Sequence, residues 1–300
     1  MTSLAPRVVL VTRPSEFTLL LARHATRGQA AFQLTQRAQS IDRVEAQHHT
    51  QDAALAKARA AVPSGWTMAE VNRDDLDRFL FGANDIVVAI GQDGLVANLA
   101  KYLTGQPVIG ITPDPASSEA VLTRHAITAL PGLLSALERN AAQTESRTMI
   151  EAKVPNGPSL RALNEIFVGH RSHQSARYLL RQGETEEYQS SSGLIVASGT
   201  GITGWARSIL TATGKTAALA PSDARGIYLV REAWPSRTSG TTLNFGPVTA
   251  AQPLGVVSRM NTGGVIFADG IEQDFLDFDF GVSVQIAPSA ARLTLVSDQL

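Results

Sequence analysis

The segment NDIVVAIGQDGLVANLAKYL, residues 84–103, carries the strongest structural signal in this sequence. Ile86 to Ile90 is an unbroken apolar run rich in β-branched side chains, which is typical of a strand buried on both faces. Val96, Leu99 and Leu103 then recur at i, i+3 and i+7, the spacing of one helix face. The segment therefore predicts a strand, a short loop and a helix.

The loop Gly91-Gln92-Asp93-Gly94 joins that strand to that helix without a spacer. Glycines let backbone N–H groups approach a phosphate, and the start of a helix favours an anion. Asp93 is the only charged residue in the loop, and because like charges repel, we expect its carboxylate to face a hydroxyl or a metal ion. The alternative is an ordinary strand-to-helix turn in which Asp93 caps the helix.

The composition indicates a soluble globular chain of 300 residues, with 44% apolar and 18% charged residues. The net charge of −1 gives no reason to expect a nucleic acid or a membrane as partner. The sequence has no cysteine, which excludes disulfides, thiolate nucleophiles and Cys-ligated metal sites and fits a reducing compartment. With no signal-peptide pattern and no apolar run near the roughly 20 residues of a membrane helix, we expect a cytoplasmic protein.

Strand and helix patterns alternate through the first part of the chain, which predicts a doubly wound parallel sheet. The predicted strands are Arg7–Thr12, Ile86–Ile90 and Pro107–Ile111, and the predicted helices are Thr18–Arg27 and Asp52–Ala61. A charged helix is also predicted over residues 73–80. Ligands of such sheets bind at the carboxyl ends of the strands, and Asp93 and Asp114 both follow strand ends.

Near residue 145 the pattern changes to short strands separated by turn residues, which predicts a β-rich domain. Its clearest strand is Leu276 to Ile286, where apolar and polar residues alternate. We therefore expect an α/β domain over residues 1–145 and a β-rich domain over residues 146–286. The last strand, within residues 287–300, is expected to return to the first domain.

Two short motifs in the second domain allow more than one interpretation. Gly199 to Gly204 matches G-x-G-x-x-G, but its antiparallel surroundings and the short helix after it argue against a Rossmann dinucleotide site. The turn is still suited to contact a nucleotide through its backbone and its threonine hydroxyls. His170 and His173 form an H-x-x-H pair without a third ligand nearby, so we interpret them as loop histidines.

The order of these motifs resembles the NAD kinase family, and it looks closest to the branch that includes mitochondrial NAD kinases. The segments that carry the resemblance, followed by Asp269-Gly270, are NDIVVAIGQDG, PVIGITPDPASSEA, LRALNEIFVG and SSGLIVASGTGITGW. The resemblance covers nearly the whole chain, from Arg7 to Val296. The resemblance implies a homo-oligomeric enzyme, here expected to be a homodimer. It would transfer a phosphoryl group from ATP or polyphosphate, with Mg²⁺, to the adenosine ribose 2′-hydroxyl of NAD.

The resemblance also implies roles for individual residues. Asp93 would be the general base or would orient the acceptor hydroxyl. The residues expected around the donor phosphates are Gly91, Gln92, Gly94 and Leu95. The residues expected to bind NAD are Asn164, Glu165, Thr200, Gly201, Thr203 and Trp205, with Trp205 as a stacking wall. Arg161, Arg207 and Lys101 are further candidates, by position, for contacts with phosphate.

Several positions depart from the family pattern. Gln92 and Leu95 replace a glycine and a threonine of the G-G-D-G-T loop, and Ile202 replaces a serine or lysine. Further departures are Ser117, Ala120 and Ser192. These departures keep two alternatives open: a related kinase that acts on another hydroxyl, such as that of a sugar, nucleoside or lipid, and a nucleotide-binding protein without turnover.

Overall fold

The computed structural model describes residues 5–115 and 120–297, and these divide into two compact units. Unit 1 contains the described residues of 1–102, 106–144 and 294–300, and unit 2 contains 103–105 and 145–293. Strand β17 (Ser283–Val296) contributes to both units, because its last residues, 294–296, belong to unit 1.

Unit 1 is an α/β unit. Its strands are β1 (Arg7–Thr12), β2 (Thr67–Asn72), β3 (Asp85–Ile90), β4 (Pro107–Thr112) and the short β5 (His125–Ala126). Its helices are α1 (Glu16–His24), α2 (Arg27–Thr35), α3 (Ile41–Ala61), α4 (Asp93–Ala100) and α5 (Leu130–Glu138).

The strands of unit 1 form the parallel sheet that the sequence predicts, in the order β2-β1-β3-β4-β5. The chain therefore winds to one side of β1 and later to the other side of β3, which is a doubly wound topology. At the end of β17, Thr294 and Leu295 pair in parallel with Pro107 and Val108 of β4.

Both faces of this sheet are buried. One face packs against α3 and α5 through a cluster that includes Val88, Ile109 and Leu134. The intervening strand residues, such as Val9 and Val87, are also fully buried, so the opposite face is covered as well. Burial on both faces explains why β1, β3 and β4 are continuous apolar runs in the sequence.

The helical segments of unit 1 differ from the predicted ones in their bounds. The predicted helix Thr18–Arg27 is interrupted at Ala25, which has a positive φ of 62° and separates α1 from α2. The predicted helix Asp52–Ala61 is the last part of the longer α3. In place of the charged helix over residues 73–80 there is a short 3₁₀ helix, Arg73–Arg78.

Unit 2 is β-rich. Its strands, besides β17, are β6 (Thr144–Lys153), β7 (Ser159–Ala162), β8 (Glu165–His170), β9 (Ala176–Gln182), β10 (Thr185–Ser191), β11 (Leu194–Ala197), β12 (Arg225–Val230), β13 (Phe245–Thr249), β14 (Leu254–Ser258), β15 (Gly264–Ala268) and β16 (Ile271–Asp277). It also contains the helix α6 (Trp205–Thr213).

Strands β13-β12-β11-β8-β15-β16 form one antiparallel sheet, in that order. Strands β10, β9, β14 and β17 pair antiparallel in a second layer. The two layers share one apolar core, which joins Tyr178 and Ile286 of the second layer to Val168 and Tyr228 of the first. Helix α6 packs on the other face of the first sheet through Ala206 and Leu210.

The prediction of one strand from Leu276 to Ile286 is wrong. The chain turns after β16, where the N–H of Val282 donates to the Asp279 carbonyl and Gly281 has a φ of 83°. The Asp279 carboxylate accepts from the N–H of Gly264 and holds this turn. The alternation of side chains continues through the turn except at Phe280, which is 60% exposed.

The Gly199–Gly204 motif follows β11, which pairs antiparallel with both β8 and β12. This is not the strand–helix–strand setting of a Rossmann site. Within residues 5–115 and 120–297, no helix is both long and apolar enough to cross a membrane.

One close backbone crossing in unit 1 requires a glycine. A Cβ atom on Gly110 of β4 would lie 2.0 Å from the carbonyl oxygen of Leu122. We predict that Gly110→Ala lowers the free energy of unfolding by about 1–3 kcal/mol or more, because backbone atoms must move apart. Urea unfolding followed by circular dichroism measures the change.

Gly132→Ala in α5 is the matched control, because a Cβ atom there meets no atom within 4 Å. Alanine in a helix is favoured over glycine by about 0.5–1 kcal/mol, so this variant is expected to be at least as stable as the wild type. Equal stability of the two variants would contradict the assigned crossing.

Candidate functional site

The loop segment of residues 91–95 follows β3 at the carboxyl end of the parallel sheet of unit 1, and its last three residues begin α4. The N–H of Gly91 donates to the Ile111 carbonyl at 3.0 Å and so ties the loop to β4. A Cβ atom on Gly94 would meet no atom within 4 Å, and this residue is exposed. The loop is thus anchored at Gly91 and open at Gly94.

Asp93 is the first residue of α4, and its carboxylate makes four hydrogen bonds to one neighbouring segment. Its oxygens accept from the backbone N–H groups of Val121, Leu122 and Thr123 at 2.8, 2.9 and 2.8 Å, and from the Thr123 hydroxyl at 3.0 Å. The carboxylate therefore holds the segment 121–123 against the loop. Three of these bonds go to Oδ1 and one goes to Oδ2, so Oδ2 retains the capacity to accept a further hydrogen bond.

Leu95 and Gln92, which depart from the family pattern, occupy different environments. The Leu95 side chain is only 2% exposed, and its N–H donates to the Gln92 carbonyl. Leu95 therefore belongs to the core, and its side chain has no surface to offer a phosphate. Gln92 is exposed and accepts a hydrogen bond from Arg13 at 2.9 Å. Ser117, another departure, lies outside the described residues.

In unit 2, the residues expected to bind a dinucleotide are held by two polar side chains. The Asp269 carboxylate accepts from the N–H groups of Leu163, Asn164 and Glu165 at 2.8, 2.8 and 3.2 Å. Asp269 and Gly270 both have a positive φ, which forms the tight turn between β15 and β16. Asp269 thereby fixes the backbone that leads into β8.

The second polar side chain is Ser198, whose hydroxyl donates to the Leu163 carbonyl. The same oxygen accepts from the N–H groups of Thr200 and Gly201 at 3.1 and 3.2 Å. A Cβ atom on Gly201 would lie 2.1 Å from the Asn164 carbonyl oxygen, so this position requires a glycine. Asn164, Thr200 and Gly201, predicted from separate motifs, are therefore brought together.

Glu165 is buried without a compensating partner. The residue is 8% exposed, and its Oε2 atom has no hydrogen-bond partner in the described part of the chain. Burial, followed by the negative charge of Asp269, raises the pKa of Glu165 to about 8. At neutral pH its carboxyl group is therefore mostly protonated and can donate a hydrogen bond as well as accept one.

Arg147 was not anticipated from the sequence. Its side chain is 3% exposed, pairs with Glu145 at 2.8 Å and approaches the Thr200 hydroxyl with its Nη1 at 3.4 Å. An arginine in a strand with alternating residues has no sequence signal that separates it from a surface arginine. Only the fold, which buries this side chain next to the 199–204 turn, identifies it.

Trp205 is the first residue of α6 and lies in an aromatic cluster. Its ring stacks on Phe167 with centroids 5.8 Å apart, and the Arg231 guanidinium lies 5.0 Å from the indole centroid. Together with Phe267 and Phe275, these side chains line a cavity of about 320 Å³. The walls of this cavity are thus largely aromatic, and the role of Trp205 in stacking on a ligand stays a prediction.

Four further candidate residues have other contacts or surroundings. The Thr203 hydroxyl donates to the Thr200 carbonyl at 3.1 Å, and Thr203 and Arg207 line an open groove beside α6. Arg161 donates to the Leu103 carbonyl at 3.3 Å. Lys101 is buried just after the end of α4, about 12 Å along the helix from Asp93.

Within residues 5–115 and 120–297, no group of three or more His, Cys, Asp or Glu side chains is arranged to hold a metal ion.

Two solved structures share this fold. An NAD kinase from Archaeoglobus fulgidus in complex with ATP matches with a TM-score of 0.59 and 19% identity, over 98% of this chain and 94% of that chain. Yeast NADH kinase complexed with NADH matches with a TM-score of 0.60 and 13% identity, over 99% of this chain and 85% of that chain.

The chain has the fold of these two kinases. No protein-family model matches the sequence, and the search of curated proteins gave no match. The likeness is thus one of structure at low sequence identity.

Glu165 gives a prediction for the dependence of stability on pH. Because the pKa of Glu165 is about 8 in the folded state and the ordinary pKa of a glutamate is 4.5, the folded state keeps a proton that the unfolded state releases. Stability is therefore lost as pH rises from about 4.5 to about 8, by on the order of 3–5 kcal/mol. Glu165→Gln, which is always neutral, is expected to remove this loss.

The measurement is the free energy of urea unfolding at several pH values, compared between wild type and variant. Glu184→Gln is the matched control, because Glu184 is an exposed residue of unit 2. If wild type and Glu165→Gln lose stability in parallel between pH 5 and pH 8.5, the buried acid is not responsible.

Proposed function

We propose that this protein is an NAD kinase, which transfers a phosphoryl group from ATP or polyphosphate to the adenosine ribose 2′-hydroxyl of NAD. The observation that carries the proposal is the co-occurrence, in this fold, of the Asp93 loop and the clamped Asn164–Glu165 segment. The fold itself is shared with an NAD kinase complexed with ATP and with an NADH kinase complexed with NADH.

We assign the donor phosphates to the 91–95 loop and the adenosine part of NAD to the region of Asn164, Glu165 and the 199–204 turn. A protonated Glu165 and the Asn164 amide offer both donors and acceptors to ribose hydroxyls or an adenine edge. Trp205, which lines an aromatic cavity, offers a surface for stacking.

The reaction forms a bond from the 2′-oxygen to the γ-phosphorus and breaks the bond to the leaving diphosphate. The transition state of phosphoryl transfer is loose, so positioning and charge stabilisation contribute most of the catalysis. We assign the hydroxyl proton to the Asp93 carboxylate, which receives it late in the reaction on Oδ2, the oxygen that accepts a single hydrogen bond.

We assign Mg²⁺ to the donor substrate, as its complex with the phosphate chain, because the described residues provide no cluster for it. The proposal includes a homodimer that works in the cytoplasm. The absence of cysteine from the sequence is consistent with such a reducing compartment.

One observation favours a second candidate, a nucleotide-binding protein without turnover. All four bonds of the Asp93 carboxylate go to residues 121–123, so the group has a structural task that does not need a reaction. Thermal stabilisation by NAD or NADP, without product from any donor, would support this candidate.

A kinase with another acceptor would instead give product in a screen of sugars, nucleosides and lipids.

The first test is to incubate the purified protein with NAD, Mg²⁺ and either ATP or polyphosphate, and to detect NADP with an NADP-specific dehydrogenase. We expect product, and we expect Asp93→Asn to reduce its rate by at least about 100-fold while NAD binding persists. Folded wild-type protein that makes no NADP with either donor would refute the proposal.

Thr123→Val is the matched variant for Asp93→Asn. It removes one hydrogen bond of the Asp93 carboxylate and leaves the carboxylate itself in place. If Asp93 accepts the proton, Thr123→Val keeps most of the activity. If Thr123→Val loses as much activity as Asp93→Asn, the carboxylate acts by holding residues 121–123 and its role as a base is wrong.

A further inference from the structure

Arg13 and Gln92 occupy the topological switch point of the sheet in unit 1. Arg13 directly follows β1 and Gln92 comes two residues after the end of β3, and these strands are parallel neighbours. The chain winds away from β1 towards β2 on one side and from β3 towards β4 on the other. Ligands of doubly wound sheets bind in the crevice outside the carboxyl ends of the strands at this point.

The arginine is held at two places. Its Nη2 donates to the Gln92 Oε1 at 2.9 Å, and its backbone carbonyl accepts from the Gln51 Nε2 of α3 at 2.7 Å. Gln92 precedes α4, but its side chain makes no hydrogen bond that caps this helix. The Gln92 amide is therefore used to orient Arg13.

The contact leaves the positive charge of Arg13 uncompensated. Within residues 5–115 and 120–297, no carboxylate forms an ion pair with Arg13, whereas Arg7, Arg27 and Arg59 of the same unit each pair with one. The Gln92 amide is neutral, so it fixes the direction of the guanidinium without cancelling its charge. A guanidinium with free N–H groups is well suited to phosphate.

The carboxylate of the loop, Asp93, accepts several hydrogen bonds. The Asp93 carboxylate is bonded to the backbone of residues 121–123 and to the Thr123 hydroxyl. These donors offset the negative charge of Asp93, so repulsion between Asp93 and an anion at the loop is reduced. The loop thus combines an oriented cation with a carboxylate that is already satisfied.

We propose that Arg13, oriented by Gln92, binds the phosphate chain of the phosphoryl donor at the switch point of unit 1. Gln92 is the positioning residue and Arg13 the binding residue. Gln92, which replaces a glycine of the family loop, thus supplies phosphate binding in another form. The identity of the ligand as a donor rests on the proposed function. The shared chemistry of ATP and inorganic polyphosphate is a linear triphosphate.

The first experiment measures binding without a reaction. Inorganic tripolyphosphate is titrated into wild type, Arg13→Gln and Arg23→Gln by isothermal titration calorimetry at low salt. Arg23→Gln is the matched control, because it removes the same charge from an exposed arginine at the far end of α1. We expect Arg13→Gln to weaken binding at least about tenfold and Arg23→Gln to change it less than twofold.

The second experiment tests the positioning by Gln92. Gln92→Glu keeps a hydrogen-bond acceptor for Arg13 but pairs it with a carboxylate, so we expect tripolyphosphate binding to weaken although Arg13 is intact. Gln92→Ala releases Arg13 and is expected to weaken binding as well. In the double variant with Arg13→Gln, the effect of Gln92→Ala should largely disappear, because the two residues act together.

The outcomes separate this inference from the proposed function. Weaker binding of tripolyphosphate by folded Arg13→Gln supports the inference even if no NADP is ever formed. In an active enzyme, Arg13→Gln should raise the KM for the donor and leave the KM for NAD nearly unchanged. If wild type binds ATP but not tripolyphosphate, and Arg13→Gln binds ATP more weakly than wild type does, the donor is the nucleotide alone.

Three results would overturn the inference. The first is that wild-type protein binds neither ATP nor tripolyphosphate. The second is that wild type and Arg13→Gln bind tripolyphosphate equally well, with or without kinase activity. Additive effects of Gln92→Ala and Arg13→Gln would remove the positioning role of Gln92. Thermal unfolding of each variant verifies that weaker binding does not result from a misfolded protein.

Discussion

The structure of unit 1 depends on the hydrogen bonds between the Asp93 carboxylate and residues 121–123. A carboxylate that accepts three backbone N–H groups fixes a whole segment, because each of these donors would otherwise need another partner. The same segment crosses β4 so closely that Gly110 has no room for a side chain. One acidic residue thus ties the segment that crosses β4 to the residues that follow β3.

Unit 2 uses the same physical device twice. Asp269 accepts the N–H groups that lead into β8, and Ser198 accepts those of the following turn. The consequence is a fixed backbone around Asn164 and Thr200. Asp269 and Ser198 thus shape the candidate site through hydrogen bonds to the backbone, and this backbone positions Asn164 and Thr200.

Burial then changes the chemistry of the presented groups. Glu165 lies where water cannot reach its Oε2 and where Asp269 adds negative charge, so the pKa of Glu165 rises to about 8. The charge of Arg147 is also buried, but it is paired with Glu145. In this part of unit 2, buried Glu165 is therefore neutral and buried Arg147 is paired with a carboxylate, because an unpaired charge is costly to bury.

The sequence by itself determined the doubly wound sheet, the β-rich second unit and the place of Asp93, because continuous apolar strands, helical spacing and turn residues are local signals. It did not determine that Leu276–Ile286 bends, since apolar and polar residues alternate in the sequence through the turn, which the contacts of Asp279 with Gly264 and Val282 show. The bonds of Asp93 to residues 121–123, the Arg13–Gln92 contact and the burial of Arg147 were decided by the tertiary structure alone. Each joins residues 28 or more positions apart or depends on burial, for which the sequence contains no local periodicity.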